Sequence, residues 1–250
     1  MGEKREKRNY KLKISYDGTR YSGWERQPNR ETIQGKLENV LSRMCDEDIE
    51  IIGAGRTDAG VHAKAMIANV HLGIDMSEEE ILEYLNRYLP DDIAVTKVSL
   101  AADRFHARYN AKGKTYCYTL FNGKVKPVFN RKYYTFIEEQ LDIDAMKKAS
   151  EYLIGEHDFK SFCGNPKMKK STVRRINSID IKTSKGYIYI YYNGTGFLQY
   201  MVRIMTGTLI AVGRGEIEPE EVKSILEARD RSIAPGTAPA KGLCLEKVHY

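Results

Sequence analysis

A single carboxylate between a cation and a glycine, in a turn of small residues, is the arrangement in this chain best suited to chemistry. It lies in Gly53-Ala54-Gly55-Arg56-Thr57-Asp58-Ala59-Gly60-Val61-His62-Ala63. The apolar run from Ile49 to Ala54 reads as a strand entering the turn. The glycines free the backbone to turn sharply and let a bulky substrate come close. Asp58 is therefore expected at a strand tip beside the fixed charge of Arg56, where a polymer could lie across it. Two nucleotide-binding readings fail on spacing. In a G-x-G-x-x-G loop begun at Gly53, the third glycine would fall on Asp58, whose charge would repel a pyrophosphate. Gly113-Lys114-Thr115 has Arg108 where a P-loop needs its first glycine, and a strand rather than a helix follows. A structural Asp58 that caps a turn stays open on these residues alone, since aspartate is a routine turn former.

Two further side chains have the right type and spacing to serve a site. A helix from Leu198 would carry the apolar stripe Leu198, Met201, Val202, Met205, Leu209 and Ile210. Arg203 points away from that stripe, beside Gln199, Tyr200, Thr206 and Gly207. Gly207 removes bulk where Arg203 would reach out, which suits an arginine facing a cleft. An ordinary surface arginine with its stem packed on the helix fits the same spacing. In Lys114-Thr115-Tyr116-Cys117-Tyr118 the alternation of a strand puts Lys114, Tyr116 and Tyr118 on one face. Tyrosine favours strands for packing reasons alone, so the spacing by itself gives Tyr116 no role.

The motifs together resemble the tRNA pseudouridine synthase A family. The Asp58 loop is similar to its catalytic loop over eleven residues. Phe105-His106-Ala107-Arg108 followed by Lys-x-Tyr-x-Tyr resembles its second motif, and Phe197-Leu198-Gln199-Tyr200-Met201-Val202-Arg203 with Gly207 a third. Tyr16-Asp17-Gly18, Tyr21-Ser22-Gly23-Trp24 and Gln27 resemble its opening, and Lys241-Gly242-Leu243 its closing signature. Glu25 stands where glutamine is commoner in that family. The resemblance runs from about Tyr10 to Tyr250.

It implies that Asp58 is the catalytic carboxylate, that Arg203 pairs with it and holds it ionised, and that Tyr116 stacks on the target base. Arg56 would help open the RNA helix or hold the flipped nucleotide. The implied substrate is the anticodon arm of tRNA, at uridines 38, 39 and 40, and the implied assembly is a homodimer. Isomerising uridine breaks the N1–C1′ bond, turns the uracil and rejoins it through C5. No redox step or phosphoryl transfer enters, and no cofactor is expected. One carboxylate could stabilise charge at C1′, attack it, or take a proton from C2′. Glycosidases, which share the oxocarbenium logic, place two acids across the bond. His62 receives no role. The rivals are a non-catalytic tRNA-binding or RNA-folding protein, a base-releasing glycosidase whose paired acids are missing here, and a sister synthase acting on other uridines.

These residues need elements to position them. Lys11 to Tyr16 alternates as a half-buried strand. A helix from about Thr32 presents Ile33, Leu37, Val40, Leu41 and Met44. An apolar stretch spans Met66 to Leu72. Ser77-Glu78-Glu79-Glu80 opens a helix with the stripe Ile81, Leu82, Leu85 and Leu89, stopped by Pro90. Lys114 to Asn122 and Tyr133 to Ile137 read as strands. A helix from Ile143 carries Met146, Ala149 and Leu153, with Gly155 as its stop. Val173 to Lys182 and Gly186 to Asn193 form a strand pair. The Leu198 helix closes at Gly213, and Pro219 opens another to about Arg229. Lys160 to Arg175, polar and lysine-rich, reads as a flexible loop. The order is not the strict βα alternation of a doubly wound sheet. It predicts an α+β protein of two similar lobes, each an antiparallel sheet covered by helices, with the active cleft between them. The expected division is a charged tail over 1–8, an N-terminal lobe over 9–105 carrying the Asp58 loop, and a C-terminal lobe over 106–250.

Bulk properties set the limits. At 250 residues the chain can bury a full core, and its net charge of +6 favours a polyanionic partner. A mildly basic enzyme with no nucleic-acid role fits the same charge. Arg26, Arg30 and the run Lys167, Lys169, Lys170, Arg174 and Arg175 are the richest basic clusters, more often solvated surface than phosphate contacts. No apolar stretch approaches a membrane span, and the charged N-terminus does not read as a signal peptide. Cys45, Cys117, Cys163 and Cys244 form no Cys-x-x-Cys pair, and the five histidines miss metal-ligand spacings. The expectation is a cytoplasmic protein with reduced cysteines, no metal and no membrane partner.

Overall fold

Arg8 already sits in a strand, opposite Leu72, and Lys7 pairs with Glu47 at 3.0 Å. The computed structural model describes residues 6–165 and 167–250, so most of the expected charged tail lies outside the described residues. The chain divides into two compact units. One runs up to Lys112 and takes back Leu245–Tyr250; the other is Gly113–Cys244.

The first unit follows the order β1 (Arg8–Tyr16), α1 (Ile33–Cys45), β2 (Ile52–Gly53), β3 (His62–Leu72), α2 (Glu78–Tyr88) and β4 (Ile93–Leu100). β1 is flanked by antiparallel β3 and β4, and β2 is appended to β3. The alternation in β1 buries Leu12, Ile14 and Tyr16 and exposes Lys13. Both helices begin where expected, each on a side-chain cap. Thr32 accepts from the amide of Gly35, and Ser77 forms a reciprocal capping box with Glu80. α2 ends at Tyr88 because Pro90 forces Leu89 into extended backbone. The strand expected over 49–54 shrinks to two residues for a visible reason. The Ile49 amide donates to Ser42 Oγ at 2.9 Å and the Ile51 amide to Glu38 Oε1 at 3.1 Å, so α1 takes the donors a ladder would use.

One polar network in this unit left no sequence signal. Asn9 Nδ2 donates to the carbonyls of Ala102 and Phe105, at 3.0 and 2.8 Å. Asn69 Nδ2 donates to Asn9 Oδ1 at 3.1 Å, and Asn69 Oδ1 accepts from the Ala107 amide at 2.8 Å. Both asparagines are buried. Together they fix the 102–107 segment that carries Phe105-His106-Ala107.

The second unit contains β5 (Gly113–Asn122), β6 (Thr135–Ile137), α3 (Ile143–Glu151), β7 (Gly155–Asp158), β8 (Val173–Ser184), β9 (Tyr187–Gly194), α4 (Met201–Gly213) and α5 (Glu221–Ala228). Its sheet runs β5-β9-β8-β7 with antiparallel pairs, while β6 pairs parallel to β5. Three expectations need correction. α3 ends at Glu151, and Gly155 instead opens β7 at φ 112°. α4 begins at Met201 rather than Leu198, because Tyr200 takes a left-handed conformation at φ 59°. The 160–175 segment is anchored: Phe159, Phe162 and Cys163 are fully buried, Thr172 donates to Asp158 at 2.5 Å, and Arg174 and Arg175 pair with β7. Apolar side chains spaced through a lysine-rich run hold what composition alone reads as loop.

The chain closes with β10 (Leu243–His249), which lies beside β3. Tyr250 donates to the Ala107 carbonyl at 2.7 Å, and Lys11 Nζ sits 4.2 Å from its ring centroid. The protein is α+β with two lobes, each a largely antiparallel sheet with helices. Among the described residues no helix is long and apolar enough to cross a membrane.

Asn69→Ala is expected to destabilise the protein by at least about 2 kcal/mol, since it orphans buried groups on Asn9 and Ala107. Ser77→Ala removes one exposed cap and should cost only about 1 kcal/mol. Urea midpoints of the two variants check the order, and equal losses would contradict the weight given to the buried network.

Candidate active-site segments

Asp58 sits in a loop held from below by backbone contact. The Gly53 α-carbon faces the Trp24 indole so closely that a Cβ would lie 2.6 Å from the ring. The Ala54 amide then donates to the Ile67 carbonyl at 2.7 Å, and the chain leaves the sheet. Thr57 is buried, its hydroxyl 2.8 Å from Tyr16 Oη and its carbonyl accepting from the Trp24 amide at 3.1 Å. The Val61 amide donates to the Asp58 carbonyl at 3.1 Å, closing the turn, and the Gly60 amide donates to the Tyr21 carbonyl at 3.2 Å. Two glycines make the approach possible. A Cβ on Gly18 would meet the Val61 carbonyl oxygen at 2.0 Å, and one on Gly23, at φ 97°, would meet that of Thr57 at 2.6 Å. Asp58 is left half-buried.

The supporting segment, residues 17–24, is itself braced. Asp17 Oδ1 accepts from the amide and hydroxyl of Thr19. The Gly18 amide lies 3.0 Å from His62 Nδ1, and Asp17 Oδ1 lies 3.1 Å from the same nitrogen. His62 is buried where the turn meets β3, so it braces the two segments together. Tyr21 donates to Asp92 Oδ1 at 2.6 Å, and Arg20 pairs with the same carboxylate. Burial, with the Asp92 hydrogen bond adding to it, pushes the Tyr21 phenol up to about 12, so it remains a donor at neutral pH.

Arg56 points to solvent and forms an ion pair with Glu25, both side chains well exposed. Such a pair is worth about 0–1 kcal/mol, so a phosphate can compete for the guanidinium. Glu25, the position that departs from the family pattern, is thus the partner of Arg56.

Arg203 and Tyr116 belong to the second unit. α4 is buried at every position except Arg203 and Gly207, one turn apart. Arg203 Nε donates to the Ala238 carbonyl at 2.8 Å, and the Ala238 amide donates back to the Arg203 carbonyl at 3.0 Å. The guanidinium carbon lies 4.9 Å from the Tyr200 ring centroid. Gly207 serves a different purpose from the one its spacing suggested: a Cβ there would lie 1.8 Å from the Gly236 carbonyl oxygen. The missing side chain admits the 236–238 segment, which in turn clamps Arg203.

Tyr116 lies opposite Tyr192 of β9 and is 8% exposed, its ring meeting Phe197 edge-on at 5.1 Å. Tyr118, two residues on, donates to the Pro239 carbonyl at 2.6 Å and lies 2.7 Å from Thr135 Oγ1. It thereby steadies the segment that clamps Arg203. Gly242 passes so close to the Tyr118 ring that a Cβ would lie at 2.6 Å, which gives the glycine of the closing signature a steric reason. Sequence reading missed Ala238 and Pro239, whose backbone atoms alone do the work. Among the described residues no cluster of three or more His, Cys, Asp or Glu side chains could hold a metal ion.

Comparison with known proteins adds an independent line. A sequence model of the tRNA pseudouridine synthase family matches residues 13–110 and 149–250, which include Asp58 and Arg203 but not Tyr116. The chain is 56% identical over 243 residues to tRNA pseudouridine synthase A of Bacillus sp. (strain KSM-64), covering 97% of this chain and 99% of that protein. It is 49% identical over 244 residues to tRNA pseudouridine synthase A 1 of Clostridium tetani (strain Massachusetts / E88), covering 97% and 100%. With tRNA pseudouridine synthase A 2 of Clostridium perfringens (strain 13 / Type A) it shares 44% over 243 residues, again 97% and 100%.

Gly207→Ala is expected to cost about 1–3 kcal/mol, because its Cβ can be accommodated only by moving backbone. Gly236→Ala, whose Cβ meets nothing within 4 Å, should leave the unfolding free energy within about 0.5 kcal/mol of wild type. Equal midpoints for the two variants would contradict the close approach of the 236–238 segment to α4.

Proposed function

Because the chain belongs to the tRNA pseudouridine synthase family, we propose that it isomerises uridine to pseudouridine in the anticodon arm of tRNA, at positions 38, 39 and 40. The observation that carries the reading is the Asp58 loop. Its eleven residues match the family's catalytic motif, and it is seated on residues 17–24, a second segment of family type. In the reaction the N1–C1′ bond breaks, the uracil turns, a C5–C1′ bond forms, C5 gives up its proton and N1 gains one. Atoms and electrons balance without a cofactor. Asp58 acts at the ribose, by attack on C1′ or removal of the C2′ proton. Arg203 is the second residue assigned to the chemistry, as the family resemblance implies. Tyr116 offers an aromatic face to a base taken out of its stack, and phosphate contacts from basic side chains such as Arg56 offset an unstacking cost of a few kcal/mol. The enzyme works as a homodimer in the cytoplasm.

The site assignment is tested by mapping pseudouridine in an unmodified tRNA transcript after incubation with the protein. Product is expected at 38, 39 and 40 and disappears where cytidine replaces uridine. Product at other uridines alone would replace the anticodon-arm assignment with that of a sister synthase. For the base platform, Tyr116→Ala should lower kcat/KM about 5-fold or more, from the ~1–3 kcal/mol typical of base–aromatic stacking, while Tyr116→Phe keeps most of the activity. Equal losses in both would point to the phenol oxygen instead.

A further inference from the structure

Between β5 and β6 the chain makes a loop, Gly123 to Tyr133, outside both spans matched by the family model. Lys124, Lys126, Arg131 and Lys132 lie in it, and no acidic residue occurs between Gly123 and Ile137. All four cations are exposed. Beside them Phe129 is 84% exposed, Val125 81% and Val128 65%. Single exposed apolar residues are ordinary, but three within five positions, in a loop whose only charges are positive, mark a contact surface.

The loop is built rather than slack. Asn122 Nδ2 donates to the carbonyls of Ile137 and Glu139 at 3.0 and 2.7 Å, tying its two ends together. The Gly123 amide donates to the Ile137 carbonyl at 3.2 Å. Tyr134 is buried, and its hydroxyl donates to the Pro127 carbonyl in the middle of the loop. At the tip Asn130 is left-handed at φ 58°, and the Tyr133 amide donates back to its carbonyl at 2.8 Å. Phe129 is therefore displayed on an ordered turn, so a binding partner need not meet much of the ordering cost.

We propose that this loop is a second contact for the RNA substrate, with Phe129 stacking on an unpaired base while Lys124, Lys126 and Arg131 contact the flanking phosphates. An aromatic side chain framed by cations is how unpaired RNA is gripped without reading sequence. One alternative occupant, the same loop of a second copy, is disfavoured by the charge: two such loops facing each other would set like charges together. The proposal rests on the function proposed above, and it assigns the loop to binding, not to the chemical step.

The test uses the full chain and an unmodified tRNA transcript, with affinity measured across a salt series. Phe129→Ala is expected to bind about fivefold or more weakly, with the slope of log affinity against log salt unchanged. The triple variant Lys124→Ala/Lys126→Ala/Arg131→Ala should flatten that slope by about 0.7–0.9 for each phosphate it no longer neutralises. Light scattering should show the same oligomeric state for all three proteins. Wild-type affinity and slope in both variants would overturn the proposal. Unchanged RNA binding with a changed oligomeric state would overturn it in favour of a protein interface. A wild type that neither binds nor modifies tRNA would instead remove the functional reading on which the loop assignment rests.

Discussion

The close approach of residues 17–24 to the Asp58 turn is the constraint that positions the candidate carboxylate of the first unit. Carbonyl oxygens of Thr57 and Val61 come so near Gly18 and Gly23 that no side chain could stand at either glycine. Backbone seated on backbone leaves little room for the loop to drift, and a carboxylate that acts on one sugar carbon tolerates little drift. His62, the Tyr16–Thr57 pair and the Tyr21–Asp92 pair then hold the supporting segment in turn. Residues with no chemistry of their own thus decide where Asp58 stands.

The second unit solves a similar problem with different parts. Arg203 is long and flexible, and a free arginine would lose much side-chain entropy on meeting a substrate. Here its stem leaves an almost wholly buried helix, its Nε is tied to Ala238, and the Tyr200 ring lies against the guanidinium. Gly207 and Gly242 matter because they let the 236–242 segment pass close to α4 and to Tyr118. In both units, glycine is required where one segment crosses another, and a candidate site residue stands beside the crossing.

Much of this was legible in the sequence because local rules and tertiary structure agree. Ser77 caps the helix it was expected to cap, the helix expected from about Thr32 starts there, and the alternation of β1 and β9 matches their buried faces. The eleven-residue loop and the Arg203 segment named the family that the comparisons then showed. What was not legible came from distant partners. Ser42 and Glu38 capture amides that a longer β2 would have used. A left-handed Tyr200 delays α4, with Gly164 making room for its ring. Phe159, Phe162 and Cys163 anchor a stretch whose lysines suggested a loop. Asn9 and Asn69 look like ordinary polar strand residues until the carbonyls they serve are seen. Propensity and period describe a segment's own preferences, and each of these features belongs to a pair of segments.

We propose that the Asp58 carboxylate performs the isomerisation. The most direct measurement is tritium release from tRNA labelled at uridine C5, comparing wild type with Asp58→Ala at matched tRNA binding. Wild type should release tritium while the base stays on the RNA, and Asp58→Ala should be slower by at least about a thousandfold, the scale on which enzymes lose rate with an essential reacting group. Release by Asp58→Ala at a rate near wild type would contradict the account and leave Asp58 a turn residue in an enzyme whose chemistry lies elsewhere.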